Sequence, residues 1–168
     1  MTLLLTACTS STDTKSIESF APCSQIQTVT SSQSPVMVEC LESKSTVDIA
    51  AIKGPAVITA WASWCANCEA QRPNFIRLYE ESAGRLQVIG LDVEEKSKLD
   101  GFNHALARAM SYPHLYDPGA LTVPLFGPGV PITRFIDANN QLAYLAVGPI
   151  LKYDELKALV KKHLGIEI

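Results

Sequence analysis

The sequence predicts an α/β fold in which a mixed central sheet is flanked by helices, and three observations carry that expectation. Short apolar runs alternate with amphipathic stretches at helical spacing, turn residues punctuate them regularly, and no segment repeats. A chain of 168 residues, 47% apolar and 18% charged, has room for one compact domain and a small appendage. The net charge of −3 and the scatter of the basic residues leave no electrostatic footprint for nucleic acid. Apolar runs extend over only a handful of residues, far below the ~20 that a membrane-spanning helix needs. Any membrane attachment is therefore expected through an anchor.

Taken in order, residues 36–40 are a short extended candidate. Ala56–Trp61 (AVITAW), bounded by Gly54 and Pro55, reads as a buried strand because it is continuously apolar and too short for a helix. Residues 67–82 are expected to be helical: Phe75, Ile76, Leu78 and Tyr79 recur at helical spacing, and Gly84 stops them. A second buried strand covers residues 86–91 (LQVIGL). An amphipathic helix follows over 98–111, with Phe102, Ala105, Leu106, Ala109 and Met110 on one face. Ile132–Ile136 and Leu142–Val147 flank Asp137-Ala138-Asn139-Asn140, a turn sequence that makes them an antiparallel hairpin. Tyr153–Leu164 closes the chain as a helix with Leu156, Leu159, Val160 and Leu164 inward, ended by Gly165. The predicted order is β, β, α, β, α, β, β, α.

The N-terminus reads MTLLLTAC, and Leu5-Thr6-Ala7-Cys8 resembles a bacterial lipobox, in which the Cys carries diacylglycerol on its sulfur. The leader has no basic n-region and only Leu3 to Leu5 as an apolar core, shorter than a working signal; the bland alternative is an ordinary N-terminal tail. Residues 9–19 are rich in Ser and Thr, the composition of a solvated tether. The expected organisation is a leader over 1–8 ending at Cys8, a tether over 9–22 and a folded domain over 23–168. With Cys8 assigned to lipid, Cys23, Cys40, Cys65 and Cys68 form an even set, as in exported chains in oxidising compartments. Cys65 and Cys68 share a CxxC, so pairing Cys23 with Cys40 as a structural bridge is the economical choice; two unpaired buried thiols are the alternative.

The chemistry centres on Trp61-Ala62-Ser63-Trp64-Cys65-Ala66-Asn67-Cys68, which places the CxxC between a buried strand and a helix. A helix N-terminus presents unpaired N–H groups and positive dipole, so a Cys there is stabilised as thiolate, the form that attacks disulfides. Cys65, expected to be the more exposed, is the nucleophile, and Cys68 resolves the mixed disulfide. A structural zinc site would need four ligands, and His104, His114 and His163 form no cluster of metal-ligand spacing; no metal is expected. Covalent haem needs His after the second Cys, where Glu69 stands, and no other cofactor is called for. An inert disulfide is the remaining alternative.

The combination of WASWCxxC, Pro73 five residues beyond Cys68, and Gly129-Val130-Pro131 before a strand resembles the thioredoxin superfamily, and most closely its membrane-tethered TlpA/ResA-like branch. That resemblance covers residues 47–164 and implies a thioredoxin fold with an N-terminal extension. It implies Cys65 and Cys68 as the active pair, a cis Val130–Pro131 bond against them, and pairing of the Val130 backbone with an extended substrate. Trp61 is expected in the core, Trp64 as a partly exposed platform beside Cys65, and Pro73 as a kink in the helix. Two departures matter. The dipeptide inside the motif is Ala66-Asn67 rather than Gly-Pro, and Thr59 stands where thioredoxins place a buried Asp. A hydroxyl is no base at neutral pH, so Cys68 must lose its proton to water or another group. Glu69 is expected to be a solvated acid at the helix start.

The function this implies is extracytoplasmic disulfide exchange with exported proteins by a chain anchored through Cys8 to the outer face of a bacterial cytoplasmic membrane. Within that class, a specialised reductase, for instance of apocytochromes, fed by a membrane thiol transporter, is the narrower expectation. A redoxin-type peroxidase is a weaker alternative, since such sites place Thr three residues before the reactive Cys, where this chain has Ala62. A non-enzymatic surface lipoprotein that uses the fold for binding is the alternative from a different class.

Overall fold

The computed structural model describes residues 19–30 and 34–168. The leader, Cys8 and the first part of the tether, up to residue 18, lie outside the described residues. The centre is β3 (Ala56–Trp61), buried along its whole length because it has a neighbour on each side and a packed layer on each face. It runs parallel to β4 (Gln87–Val93) and antiparallel to β6 (Ile132–Ile136). β5 (His114–Asp117) extends the sheet parallel to β4. Hairpins finish both ends: β1 (Met37–Cys40) with β2 (Thr46–Asp48) beside β5, and β7 (Leu142–Val147) beside β6. The seven strands thus run in the order β2-β1-β5-β4-β3-β6-β7.

Alternation along the strands sorts the core into two layers. Val57 and Trp61 of β3, Val88 of β4 and Phe135 of β6 pack with Phe75 and Leu78 of α1 (Ala66–Ser82), Ala105 of α2 (Lys98–Ala107), and Leu156 and Val160 of α4 (Tyr153–Leu164). Ile58, Ile89, Leu91 and Leu115 point the other way, into a layer closed by Cys23, Val38, Ile52 and Phe126 of α3 (Val123–Phe126).

Three elements depart from the expected order. β5 reads as HLYD, whose polar ends suggest a loop, yet all four residues are buried. Much of their polarity is met close by: His114 Nε2 lies 3.1 Å from the Met110 carbonyl, and the Asp117 carboxylate accepts from the Leu121 and Thr122 amides and the Thr122 hydroxyl. β2 and α3 are too short to leave a periodic signal. The amphipathic helix expected to reach residue 111 stops at Ala107, because Ala109 turns into the left-handed region at φ 53° and the Met110 amide bonds back to the Ala105 carbonyl.

Phe20, within the span assigned to the tether, is buried edge-on against Phe102 and His114, and the Ala21 amide donates to the Ser111 carbonyl. Among the described residues, packing against the domain therefore begins at Phe20.

Candidate active site at the start of α1

β3 delivers the chain to one end of the sheet, and the loop from Ala62 to Trp64 leads directly into α1. Cys65 caps the helix: its backbone is extended, at φ −86° and ψ 103°, and its Sγ accepts from the Cys68 amide at 3.1 Å. Cys68 lies one turn in, bonded to Cys65 as a disulfide with Cα atoms 5.2 Å apart. The two sulfurs differ little in exposure, 7% and 5% by residue, so accessibility does not separate them as expected; the N-cap position of Cys65 does. A sulfur placed there already receives the hydrogen bond that would stabilise its thiolate.

The preceding loop is tied down by the segment after β4. The Ser63 amide and hydroxyl both donate to the Glu95 carboxylate, and the Trp64 indole N–H donates to the Glu94 carbonyl at 3.2 Å. Glu94 reaches this carbonyl through a left-handed backbone at φ 57°, an uncommon conformation for a residue with a Cβ. Trp64 is 58% exposed beside Cys65, whereas Trp61 is in the core.

The Val130–Pro131 peptide is cis. Since Ile132 pairs with Ala60 in β3, this bond lies at the sheet end from which the chain enters the CxxC. The Gly148 amide donates to the Pro131 carbonyl at 3.0 Å and so couples the end of β7 to it.

Below the pair lies a polar knot that sequence reasoning missed. Gln71 Nε2 donates to Thr59 Oγ1 at 3.1 Å, Gln71 Oε1 accepts from the Ile150 amide at 3.0 Å, and Thr133 Oγ1 reaches Thr59 at 3.4 Å. It joins α1, β3, β6 and the segment after β7 without a charge. The signal was available: buried positions on α1 recur as Cys68, Gln71, Phe75, Leu78 and Ser82, so Gln71 falls on the inward stripe. Pro73 lies within α1, where it removes the donor for the Glu69 carbonyl.

Glu69 is not a solvated acid. It bonds Arg72 in two places, at 3.0 and 3.2 Å, meets Arg108 at 3.2 Å, and faces His104 at 3.6 Å. Burial pushes its carboxyl upward, but the Arg72 hydrogen bonds together with the Arg72, Arg108 and His104 charges outweigh that and hold it below its ordinary value. The first turn of α1 is thereby fastened to the end of α2.

Cys23 and Cys40 are joined in a second disulfide, with Cα atoms 6.0 Å apart, in the layer on the opposite face of the sheet. Cys40 pairs with Leu115 of β5, and β5 and β4 intervene between it and β3. Among the described residues one set of metal-ligating side chains converges, Cys23, Cys40 and Glu42, and there the two sulfurs are bonded to each other.

Against known proteins, residues 34–145 match the model of the AhpC/TSA family. The thiol:disulfide interchange protein DsbE of Allochromatium vinosum is 29% identical over 119 residues, covering 66% of this chain and 62% of that protein. Its Escherichia coli namesake is 26% identical over 113 residues, covering 65% and 60%. The chain thus spans about three-fifths of the length of these relatives. In solved structures, a DsbF homologue from Corynebacterium diphtheriae superposes with a TM-score of 0.67 at 24% identity, over 85% of this chain and 90% of that one. The pneumococcal exposed lipoprotein thioredoxin from Streptococcus pneumoniae gives 0.64 at 22%, over 77% and 99%. At these identities the structural matches establish a thioredoxin-like fold.

Proposed function

The chain belongs to the AhpC/TSA family of the thioredoxin superfamily, and on that premise we propose that it is an extracytoplasmic thiol–disulfide oxidoreductase acting on exported proteins through Cys65 and Cys68. The observation that carries this reading is the Cys65 sulfur at the N-cap of α1, accepting the Cys68 amide.

In the reducing direction, the Cys65 thiolate attacks one sulfur of a substrate disulfide. An S–S bond forms between Cys65 and the substrate, and the second substrate sulfur leaves as thiolate and takes a proton from water. Cys68, once deprotonated, attacks Cys65 Sγ, releasing the first substrate sulfur and closing the Cys65–Cys68 bond. Two electrons pass from the protein to the substrate, and reduction of the Cys65–Cys68 disulfide by a membrane thiol transporter completes the cycle. The uncharged Thr59–Gln71–Thr133 knot offers no base for Cys68, so its proton leaves to water. Trp64, beside Cys65, and the Val130 backbone before cis Pro131, at the same end of the sheet, receive the substrate strand. The Cys23–Cys40 bridge has a structural role, and Cys8 carries the lipid that holds the folded domain at the outer face of the membrane.

DsbE relatives and an exposed lipoprotein neighbour support the location, and the narrower proposal is a reductase whose first substrates to test are apocytochromes. In cells given a complete signal, Cys68→Ser is expected to accumulate mixed disulfides between Cys65 and exported proteins, visible on non-reducing gels. Cys65→Ser is expected to give almost none. Equal trapping by both variants, or by neither, overturns the mechanism in favour of a binding protein. Release from membranes by Cys8→Ala tests the anchor.

A further inference from the structure

Asp92 ends up where a carboxylate is hardest to keep. It sits near the end of β4, fully buried, in register with Trp61 of β3 and Tyr116 of β5, at the sheet end that carries the CxxC. Among the described residues neither of its oxygens has a hydrogen-bond partner. α2 crosses directly above it at Gly101, where a Cβ would overlap the carboxyl oxygen, so the residue type at 101 makes the room that Asp92 occupies. An ionised carboxylate without partner or counterion in such a place is costly, whereas a protonated one is not.

The groups around it sharpen the point. On its own segment stands Glu95, three residues on, both of whose oxygens are taken by Ser63. β5 contributes Tyr116 and β3 the uncharged Trp61. On α2, Asp100 adjoins Gly101, His104 stacks on Trp61, and Lys98 is already bound to Glu39 at 2.6 Å. The nearby cations of the α1–α2 contact, Arg72 and Arg108, are bound to Glu69. Among the described residues no cation neutralises Asp92, and a full charge there would oppose the Glu95 carboxylate.

We propose that Asp92 is a positioning residue for the reactive pair: carrying a proton, its buried carboxyl lets the charged Glu95 hold Ser63 and Trp64 in place ahead of Cys65. In keeping with this, burial first and the Glu95 charge second push Asp92 up to about 9. Loss of the Asp92 proton sets two carboxylates against each other and loosens Glu95 from the Ser63 amide and hydroxyl. The relevance to catalysis rests on the proposed disulfide exchange, but the coupling can be read without it.

The experiment uses the oxidised Cys8→Ser chain, in which the remaining four cysteines are paired and no thiol titrates. Tryptophan emission is followed from about pH 7 to 10, together with the rate at which a phosphine reductant opens the Cys65–Cys68 disulfide. The wild-type protein is expected to show a transition near pH 9 in both readouts. Asp92→Asn, which keeps the shape and removes the ionisation, is expected to abolish it. Glu95→Gln, which removes the opposing charge, is expected to move the midpoint to lower pH. An Asp92→Asn protein that titrates like the wild type, an unmoved midpoint in Glu95→Gln, or a flat wild-type profile overturns the proposal. None of these outcomes depends on trapping a protein substrate, so a failure of the exchange reading is seen separately.

Discussion

The two disulfides of this chain are equally buried and differently placed. Cys23–Cys40 spans 17 residues of sequence, ties a turn to the end of β1, and lies in an apolar layer with the Glu42 carboxylate on the Cys23 amide. Cys65–Cys68 spans three residues and sits on the exposed peptide donors of a helix start. Since all four sulfurs belong to residues at most 7% exposed, burial cannot be what separates the proposed reactive pair from the proposed structural bridge. The local field does: one pair receives the Cys68 N–H and a helix dipole, while the Glu42 carboxylate stands beside the other, so a thiolate is favoured in the first place and opposed in the second.

The largest effect that can break this comparison is chemical. Cys65→Ser is expected to reduce disulfide exchange to background, while replacing Cys23 and Cys40 together leaves exchange in place; turnover of a model disulfide with a dithiol reductant measures both. Mild reduction followed by differential alkylation is expected to label Cys65 and Cys68 before Cys23 and Cys40, and the reverse order would erase the distinction.

Stability should divide the other way. Opening the longer loop by the double Cys23→Ala, Cys40→Ala change is expected to cost about 3 kcal/mol by freeing the unfolded chain, and to lower Tm by roughly 6–12 °C. Thermal melts of the oxidised proteins check it, with Cys65→Ser, Cys68→Ser as the control expected to shift far less.

A smaller effect separates the surroundings of the reactive pair by pH. Asp92 is raised to about 9 in the folded chain against an ordinary carboxyl near 4 when unfolded, so the folded state binds the extra proton between those values. Its contribution is intact at low pH and is lost as pH rises toward 9. Asp92→Asn is therefore expected to stabilise the protein at pH 8 relative to wild type and to do little at pH 4. Burial drives His114 the opposite way, down to about 3, with the Met110 carbonyl hydrogen bond pulling against it. Its contribution is present above an ordinary histidine value and is lost as pH falls toward 3, so chemical denaturation across the acid range should show stability declining from about pH 6.5. The smallest effect is Trp64→Phe, which removes the indole donor to the Glu94 carbonyl and should cost about 1 kcal/mol or less, with a rise in KM for a protein substrate as the more sensitive readout.

The strands of the sheet centre were legible because β3 is a six-residue apolar run between Gly54-Pro55 and a loop, and the β6–β7 hairpin because Asp137 to Asn140 announce a turn. β5 was not legible, since His114 and Asp117 look like loop residues, and the partners of His114 Nε2 and the Asp117 carboxylate are supplied only by the folded chain. The same holds for the site. The position of CxxC at a strand-to-helix junction could be read from sequence, whereas the grip of Glu95 on Ser63 joins residues 32 apart. Glu69 shows how adjacency misleads: one residue past Cys68, it serves as the fastening between two helices. Gln71, a polar letter on an apolar stripe, was the one legible clue that went unread.

Phe20 gives the molecule a mechanical character. Tension applied to the chain upstream of Ser19 meets first a ring wedged between Phe102 and His114 and then a covalent stop at Cys23–Cys40. The load passes through that bridge to the end of β1, so the stretch between the two cysteines is shielded from it. β3 and the reactive turn lie beyond β5 and β4, two strands farther across the sheet. A domain pulled from this end takes the strain first at the β1 side of the sheet, ahead of the turn that carries the proposed reactive pair.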